Sequence, residues 1–423
     1  MRIVLATESY LPYVSGVTIS VDALARGLGL LGHEVLVLAP RPAHGSRVVA
    51  VGSPGPEPRY AWLSSYELPV VVPGGYRMPW PNPAAHALEL ARTFGPDLVH
   101  AHSPFVTGVL ARRLARAASV PLVFTHHTRF GDYGHYLGPM AAPGARLADA
   151  YLRRFWLACA AIIAPSGDLA GEIRDRLPEL ARSRVHVIPT GIDVEAIRAI
   201  EPARGAGWPA DAVVVATLGR LAPEKSPAEL IDAFALAGER MARLRFVVIG
   251  GGPSEAALRR RAADLGDRIA FTGALPRPEA LARLAAADLF AFASRTETQG
   301  LVLAEALATG LPAVAVAGPG VGDSVRDGVD GIVVDAGEGR VERLAGALVE
   351  LAADDELRGR MAARAGGDAD RFAVGRRTAE VEALYRRLVT GRDVGTACHA
   401  IGSAYNADHA SESGGPPRLP PNH

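Results

Sequence analysis

Of 423 residues only two are cysteines and one is a lysine. Cys159 lies in an apolar segment and Cys398 near the end, so the chain has neither a disulfide framework nor a metal-ligand spacing, and a reducing compartment is expected. Long apolar runs are missing too. None approaches the ~20 residues that a bilayer-spanning helix needs, and the N-terminal IVLA, soon followed by Glu8, is too short for the core of an export signal. A cytoplasmic protein is the expectation, with peripheral attachment to the inner face of the membrane left open. Nor is there an excess of one charge: 45 basic residues balance 45 acidic ones, and no nucleic-acid partner is expected. The balance is uneven along the chain, since residues 1–190 carry 18 arginines against 13 acids, a weak pointer to anionic surfaces or ligands.

What the chain does have is apolar content, 49%, in short runs rich in Val and Ile. Runs at 2–6, 35–39, 97–100, 121–125, 161–164 and 185–188 have the character of buried parallel strands, with helical patterns between several of them. The clearest helix has Val17, Val21, Leu24, Leu28 and Leu31 at steps of four and three and ends at Gly32. After PTGID (189–193) the same grammar restarts, with strand-like runs at 212–216, 245–249, 268–271, 288–292, 312–316 and 331–334. The fold class is therefore α/β: two Rossmann-like, doubly wound domains facing across a cleft, since ligands bind beyond the carboxyl ends of such strands. The expected boundaries are 1–190 for an acceptor-binding domain and 191–370 for a donor-binding domain. A helix at 371–390 would cross back to the first domain, and a disordered tail would fill 391–423.

Several stretches carry chemistry. SGVTISVDAL (15–24) puts Gly16 at the mouth of a helix, where backbone N–H groups can approach an anion; a glycine needed only for the turn explains it as well. IGGGP (249–253), with Gly251, poses the same choice. GRLAPEKS (219–226) sets Arg220 five residues before Lys225, the sole lysine, on a loop after a strand. A planar fork and a point charge there suit a pyrophosphate, against the alternative of a solvated pair beside a helix. ETQGLVLAEALATGLP (297–312) places Glu297 before Gly300 and Glu305 in the helix that follows. Two carboxylates with free N–H groups between them suit a polyol carrying phosphate, although an acid at a helix start and an ordinary exposed Glu would read alike.

Taken together, E-x7-E after a strand, the preceding G-R-L-x-x-E-K, the turn PTGID and the N-terminal S-G-V loop resemble the retaining glycosyltransferases of family 4, which have the GT-B architecture. The resemblance covers about residues 1–388. It implies that Glu297 contacts hydroxyls of the transferred hexose and Glu305 the ribose, while Arg220 and Lys225 hold the pyrophosphate and Gly16 closes over it. Gln299, Gly300, Leu301 and Val302 would offer backbone N–H groups, and the FTGALP loop (271–276), with Leu275, would cradle the base. Two departures from the family pattern, Gln299 where many relatives have Phe and Asp323 in a turn that often carries Glu, would concern donor detail. THHTRFGDYGHYLG (125–138) is similar to the stretch in the diacylglycerol glucosyltransferase branch. That implies UDP-glucose as donor, His127 beside the anomeric carbon, and Asp132, His135 and Tyr136 at the acceptor entrance. His126 is expected to be structural. The three histidines do not fit a metal motif, so no metal or resident cofactor is expected and the nucleotide sugar is a co-substrate.

The segment 144–161 has Leu147, Tyr151, Leu152, Phe155 and Trp156 on one stripe. Both an interfacial membrane helix and an ordinary helix packed on its own sheet explain it. Rival readings of the chemistry are a glycosidase using Glu297 and Glu305, an epimerase of the same architecture acting on a UDP-sugar, a pyridoxal enzyme with Lys225, a GDP-mannose-dependent mannosyltransferase and a non-catalytic binding protein.

Overall fold

A computed structural model describes residues 1–46, 54–67, 76–80, 85–129, 141–180, 182–204 and 207–391. The first lobe contains strands β1 (Arg2–Ala6), β2 (Glu34–Pro40), β3 (Arg59–Leu63), a short antiparallel ribbon β4 (Ser65–Glu67) with β5 (Arg77–Pro79), and β6 (Leu98–Ala101). It continues with β7 (Leu122–Thr125), β8 (Ala161–Ala164) and β9 (Val185–Val187). Apart from the ribbon these form one parallel sheet in the order β3-β2-β1-β6-β7-β8-β9. The second lobe repeats the plan with β10 (Val213–Leu218), β11 (Leu244–Ile249), β12 (Ile269–Gly273), β13 (Leu289–Phe292), β14 (Ala313–Val316) and β15 (Gly331–Val334). Its order is β12-β11-β10-β13-β14-β15.

Alternation along each strand builds two cores per lobe, because successive side chains point to opposite faces. Val4 and Ala6 enter one apolar cluster of the first lobe, and Ile3 and Leu5 the other. Val213 and Val215 go to one side of the second sheet, Val214 and Ala216 to the other. Strands buried on both faces must be apolar throughout, which is why they stood out in the sequence. The stripe of helix Ala141–Leu157 belongs to this interior: Leu152, Phe155 and Trp156 are buried in the first lobe, so they are not available to a membrane, while Leu147 is exposed.

The chain crosses between the lobes twice, side by side. Ile192 donates its N–H to the Phe372 carbonyl (2.9 Å), and Val374 donates to the Ile192 carbonyl (2.8 Å). A Cβ on Gly191 would lie 2.5 Å from Cα of Val374, so only glycine lets the two crossings approach this closely. Beyond the second crossing, helix Val374–Val389 packs on helix Gly16–Leu30 of the first lobe and adds Val381, Leu384, Tyr385 and Leu388 to its core. Among the described residues no helix is long and apolar enough to cross a membrane.

Candidate active site

In both sheets the strand order reverses beside the first strand of the lobe, between β1 and β6 and between β10 and β13. Loops leaving those strands diverge to opposite faces and open a crevice. The cleft between the lobes encloses about 350 Å³, within the range of small-molecule sites. Its walls are the loops after β1, β7, β8, β9, β10 and β13, and they contain Gly16, His127, Arg220, Lys225, Glu297, Gln299, Gly300, Leu301 and Val302.

The first-lobe wall is a helix mouth. Ser15 caps helix Gly16–Leu30 by accepting the N–H of Thr18, and hydroxyl contacts among Ser9, Ser15 and Thr18 at 2.9–3.0 Å pin the turn. A Cβ on Gly16 would be 3.6 Å from Cδ1 of Leu301, so the mouths of two helices from opposite lobes face each other. On the second lobe, Gly300 takes a left-handed conformation (φ 75°) and starts helix Leu301–Ala308 without a side-chain cap. The first N–H groups of that helix have no intrahelical partner and remain for a ligand.

Charge is concentrated on the second-lobe wall. Arg220 is exposed into the cleft and makes no hydrogen bond or ion pair with the described residues. Its charge acts on the Tyr13 phenol, whose pKa burial nevertheless raises. Lys225 is not free. Its Nζ contacts Oε1 of Glu297 at 2.5 Å, with both side chains partly buried. An ammonium has three N–H donors, so two remain, and Oε2 of Glu297 can still accept a hydroxyl. The carboxylate thus orients the ammonium.

Behind His127 stands a group of imidazoles. Nε2 of His127 is 2.9 Å from Nδ1 of His102, and the His102 ring lies against that of His100 with centroids 4.1 Å apart. His100 uses both nitrogens, towards the Tyr385 hydroxyl (2.5 Å) and Thr125 Oγ1 (2.7 Å). Burial pushes the pKa of His127 down to about 4 and that of His126 to about 3, and it holds His100 and His102 well below the usual imidazole range. Nearby charge adds to this for His126, from His127, Arg176 and Arg129. All four are neutral at pH 7.

Three residues singled out in the sequence do not line the cleft. Glu305 is buried with its carboxylate 2.6 Å from Arg277, since the helical turn carries it away from the loop that bears Glu297. Gly251 offers its carbonyl to the Leu221 N–H (3.0 Å), and Gly252 has its Cβ position 2.4 Å from the Leu221 carbonyl, so the glycine-rich turn serves close packing of two loops. Leu275 packs on the second-lobe core. Asp132, His135 and Tyr136 fall outside the described residues.

The two departures noted above face the other lobe. The Gln299 side chain, 4% exposed, accepts the Thr190 N–H (2.7 Å) and donates to the Thr190 carbonyl (3.0 Å), clamping the crossing segment. Asp323 accepts from Gly167 N–H (2.9 Å), and Asp168 returns the contact by accepting from Gly320 N–H (3.0 Å). Burial and the charge of Asp168 raise the Asp323 pKa. His102 and His100 also escaped the sequence reading. Their signal was present in DLVHAHSP, where histidines two apart at the end of a buried strand must share one face.

Known proteins resemble the chain in both lobes. The pattern described as Glycosyltransferase Family 4 matches residues 14–196, and that of Glycosyl transferases group 1 matches residues 202–367. An alpha-monoglucosyldiacylglycerol synthase of Acholeplasma laidlawii is 30% identical over 362 residues, covering 81% of this chain and 87% of that one. A GDP-mannose-dependent alpha-mannosyltransferase of Mycobacterium tuberculosis is 30% identical over 344 residues, covering 80% and 85%. Among solved structures, Anabaena HepE in complex with UDP and glucose superposes with a TM-score of 0.65 at 20% identity, over 92% of this chain and all of the other. Sucrose-phosphate synthase from Thermosynechococcus elongatus gives 0.69, also at 20% identity and with the same coverage.

Proposed function

The chain belongs to glycosyltransferase family 4, a hexose-transferring enzyme of the GT-B fold that uses a nucleotide-sugar donor, and from that premise we propose that it moves glucose from UDP-glucose to a diacylglycerol-type lipid with retention of configuration. The observation that carries the reading is the convergence of Arg220, the Lys225–Glu297 pair and two helix mouths on one cleft. Breaking the bond between the anomeric carbon and the diphosphate builds negative charge on the leaving group and positive charge on the sugar. Preorganised cations and N–H groups aimed at the first are the main stabilising effect in such a step. Arg220 presents a planar fork and Lys225 two remaining N–H donors, while Oε2 of Glu297 accepts a sugar hydroxyl. The attacking hydroxyl enters on the face from which the diphosphate leaves, without a protein nucleophile and without a metal. Glucose and the lipid acceptor are supported by the name of the Acholeplasma relative and by the 125–138 stretch.

The M. tuberculosis relative favours a second reading, transfer of mannose from GDP-mannose, because a pyrophosphate clamp does not distinguish the base. Incubating the purified chain with diacylglycerol vesicles and either labelled sugar nucleotide separates the two. The expected product is a glucolipid whose anomeric proton has the α coupling. A mannolipid made only from GDP-mannose would replace the first reading with the second. Sugar release without any acceptor product would overturn both.

A further inference from the structure

His102 follows β6, on the first-lobe side of the cleft, and is only 4% exposed. Its Nδ1 is 2.9 Å from Nε2 of His127, and its own Nε2 is buried without a hydrogen-bond partner among the described residues. His100, whose ring lies tilted against it, cannot supply one because Tyr385 and Thr125 occupy both of that ring's nitrogens. Two neutral imidazoles joined at 2.9 Å share one proton, which belongs either to His102 or to His127. If His127 donated, the proton of His102 would sit on Nε2 as a buried N–H with nothing to bind. If His102 donates, only a lone pair is left unmatched there. Orphaned buried N–H groups are rarer than under-satisfied acceptors.

We propose that His102 is a positioning residue for the transfer reaction: by donating its Nδ1–H to Nε2 of His127 it holds His127 as the Nδ1–H tautomer. Nδ1 of His127, which has no hydrogen-bond partner among the described residues, then carries a proton. His127 lines the cleft, so this N–H is a donor suited to a sugar hydroxyl or a diphosphate oxygen, and it has no lone pair to act as a base. His127 thereby joins Arg220, Lys225 and the helix mouths as a further donor, from the opposite lobe. This assignment of a catalytic task rests on the transfer reaction proposed above, whereas the tautomer itself does not.

The test combines spectroscopy with kinetics on the full chain. Long-range proton–nitrogen correlation of histidine-labelled protein, with the His127 signals identified by their loss in His127→Gln, should show a protonated Nδ1 and an unprotonated Nε2. Protonated Nε2 in the wild type would overturn the proposal. His102→Phe keeps an aromatic ring but removes the donor; turnover should fall about tenfold or more while the KM for the sugar nucleotide changes less than about twofold. His102→Asn, which restores an N–H near the position of Nδ1, should recover most of that loss. Equal turnover in His102→Phe and wild type would also overturn it, and if that variant fails to fold, the wild-type spectrum and the Asn variant decide. Should no sugar transfer be found at all, the spectrum still judges the tautomer, so the two readings fail separately.

Discussion

Arg220 and Lys225 are close in sequence but not interchangeable in the cleft. The guanidinium is free to make a bidentate contact, and the ammonium is aimed by Glu297 at 2.5 Å. Arg220→Ala and Lys225→Ala should each lower kcat/KM by about 100-fold or more with Tm nearly unchanged, because exposed or half-exposed cations add little to folding. Steady-state kinetics beside a thermal melt checks this, and near-wild-type rates in both variants would defeat the clamp. The buried imidazoles predict an acid sensitivity. Their folded pKa values lie below the unfolded value of about 6.5, so the stability they permit is complete above that pH and is lost as pH falls towards about 4. Melting at pH 7.5 and at pH 5 should differ by about 3 °C or more, the lower Tm at acid pH. Hydrogen bonds from arginines hold Asp355 and Asp368 below the ordinary aspartate value, so these two carboxylates add to the fall only below this window.

At the scale of elements, the two crossings are the tightest junction. Gly191→Ala would push a methyl to 2.5 Å from the Val374 backbone, and relief requires the crossing strands to separate. A loss of about 1–3 kcal/mol is expected, measured by denaturant unfolding. An unchanged midpoint would mean that the crossings move apart freely. Helix Leu301–Ala308 illustrates a different constraint. Its residues are almost wholly buried, yet its start must stay open to the cleft, and Gly300 in the left-handed region makes that turn without capping the free N–H groups.

For the whole molecule the question is how the lobes are held facing each other. Two reciprocal contacts do this at the outer edge, Asp323 to Gly167 and Asp168 to Gly320, and the Gln299 clamp on Thr190 does it near the crossing. All join backbone amides of one lobe to side chains of the other. Opening the lobes would therefore break them together. Replacing Asp168 and Asp323 jointly with Ala should shift the population towards open forms and raise the KM for the sugar nucleotide about 5- to 20-fold with a smaller change in kcat. Small-angle scattering should report a larger radius of gyration; identical scattering and KM would show that the pair does not hold the lobes.

The amino-acid sequence by itself determined the α/β class, the positions of the buried strands and the loops bearing Arg220, Lys225 and Glu297. Periodicity and strand-to-helix turns are local properties, legible without the fold. The edge strand β3, among Pro- and Gly-rich neighbours and exposed in part, gave too little apolar signal to be seen. Only the tertiary structure decided that Lys225 meets Glu297, 72 residues away, that Glu305 turns to Arg277, that Gln299 grips Thr190 and that His102 stands behind His127. Each of those partnerships depends on loops converging from different strands or lobes, and such convergence is set by the packing of two sheets and not by the spacing of residues along the chain.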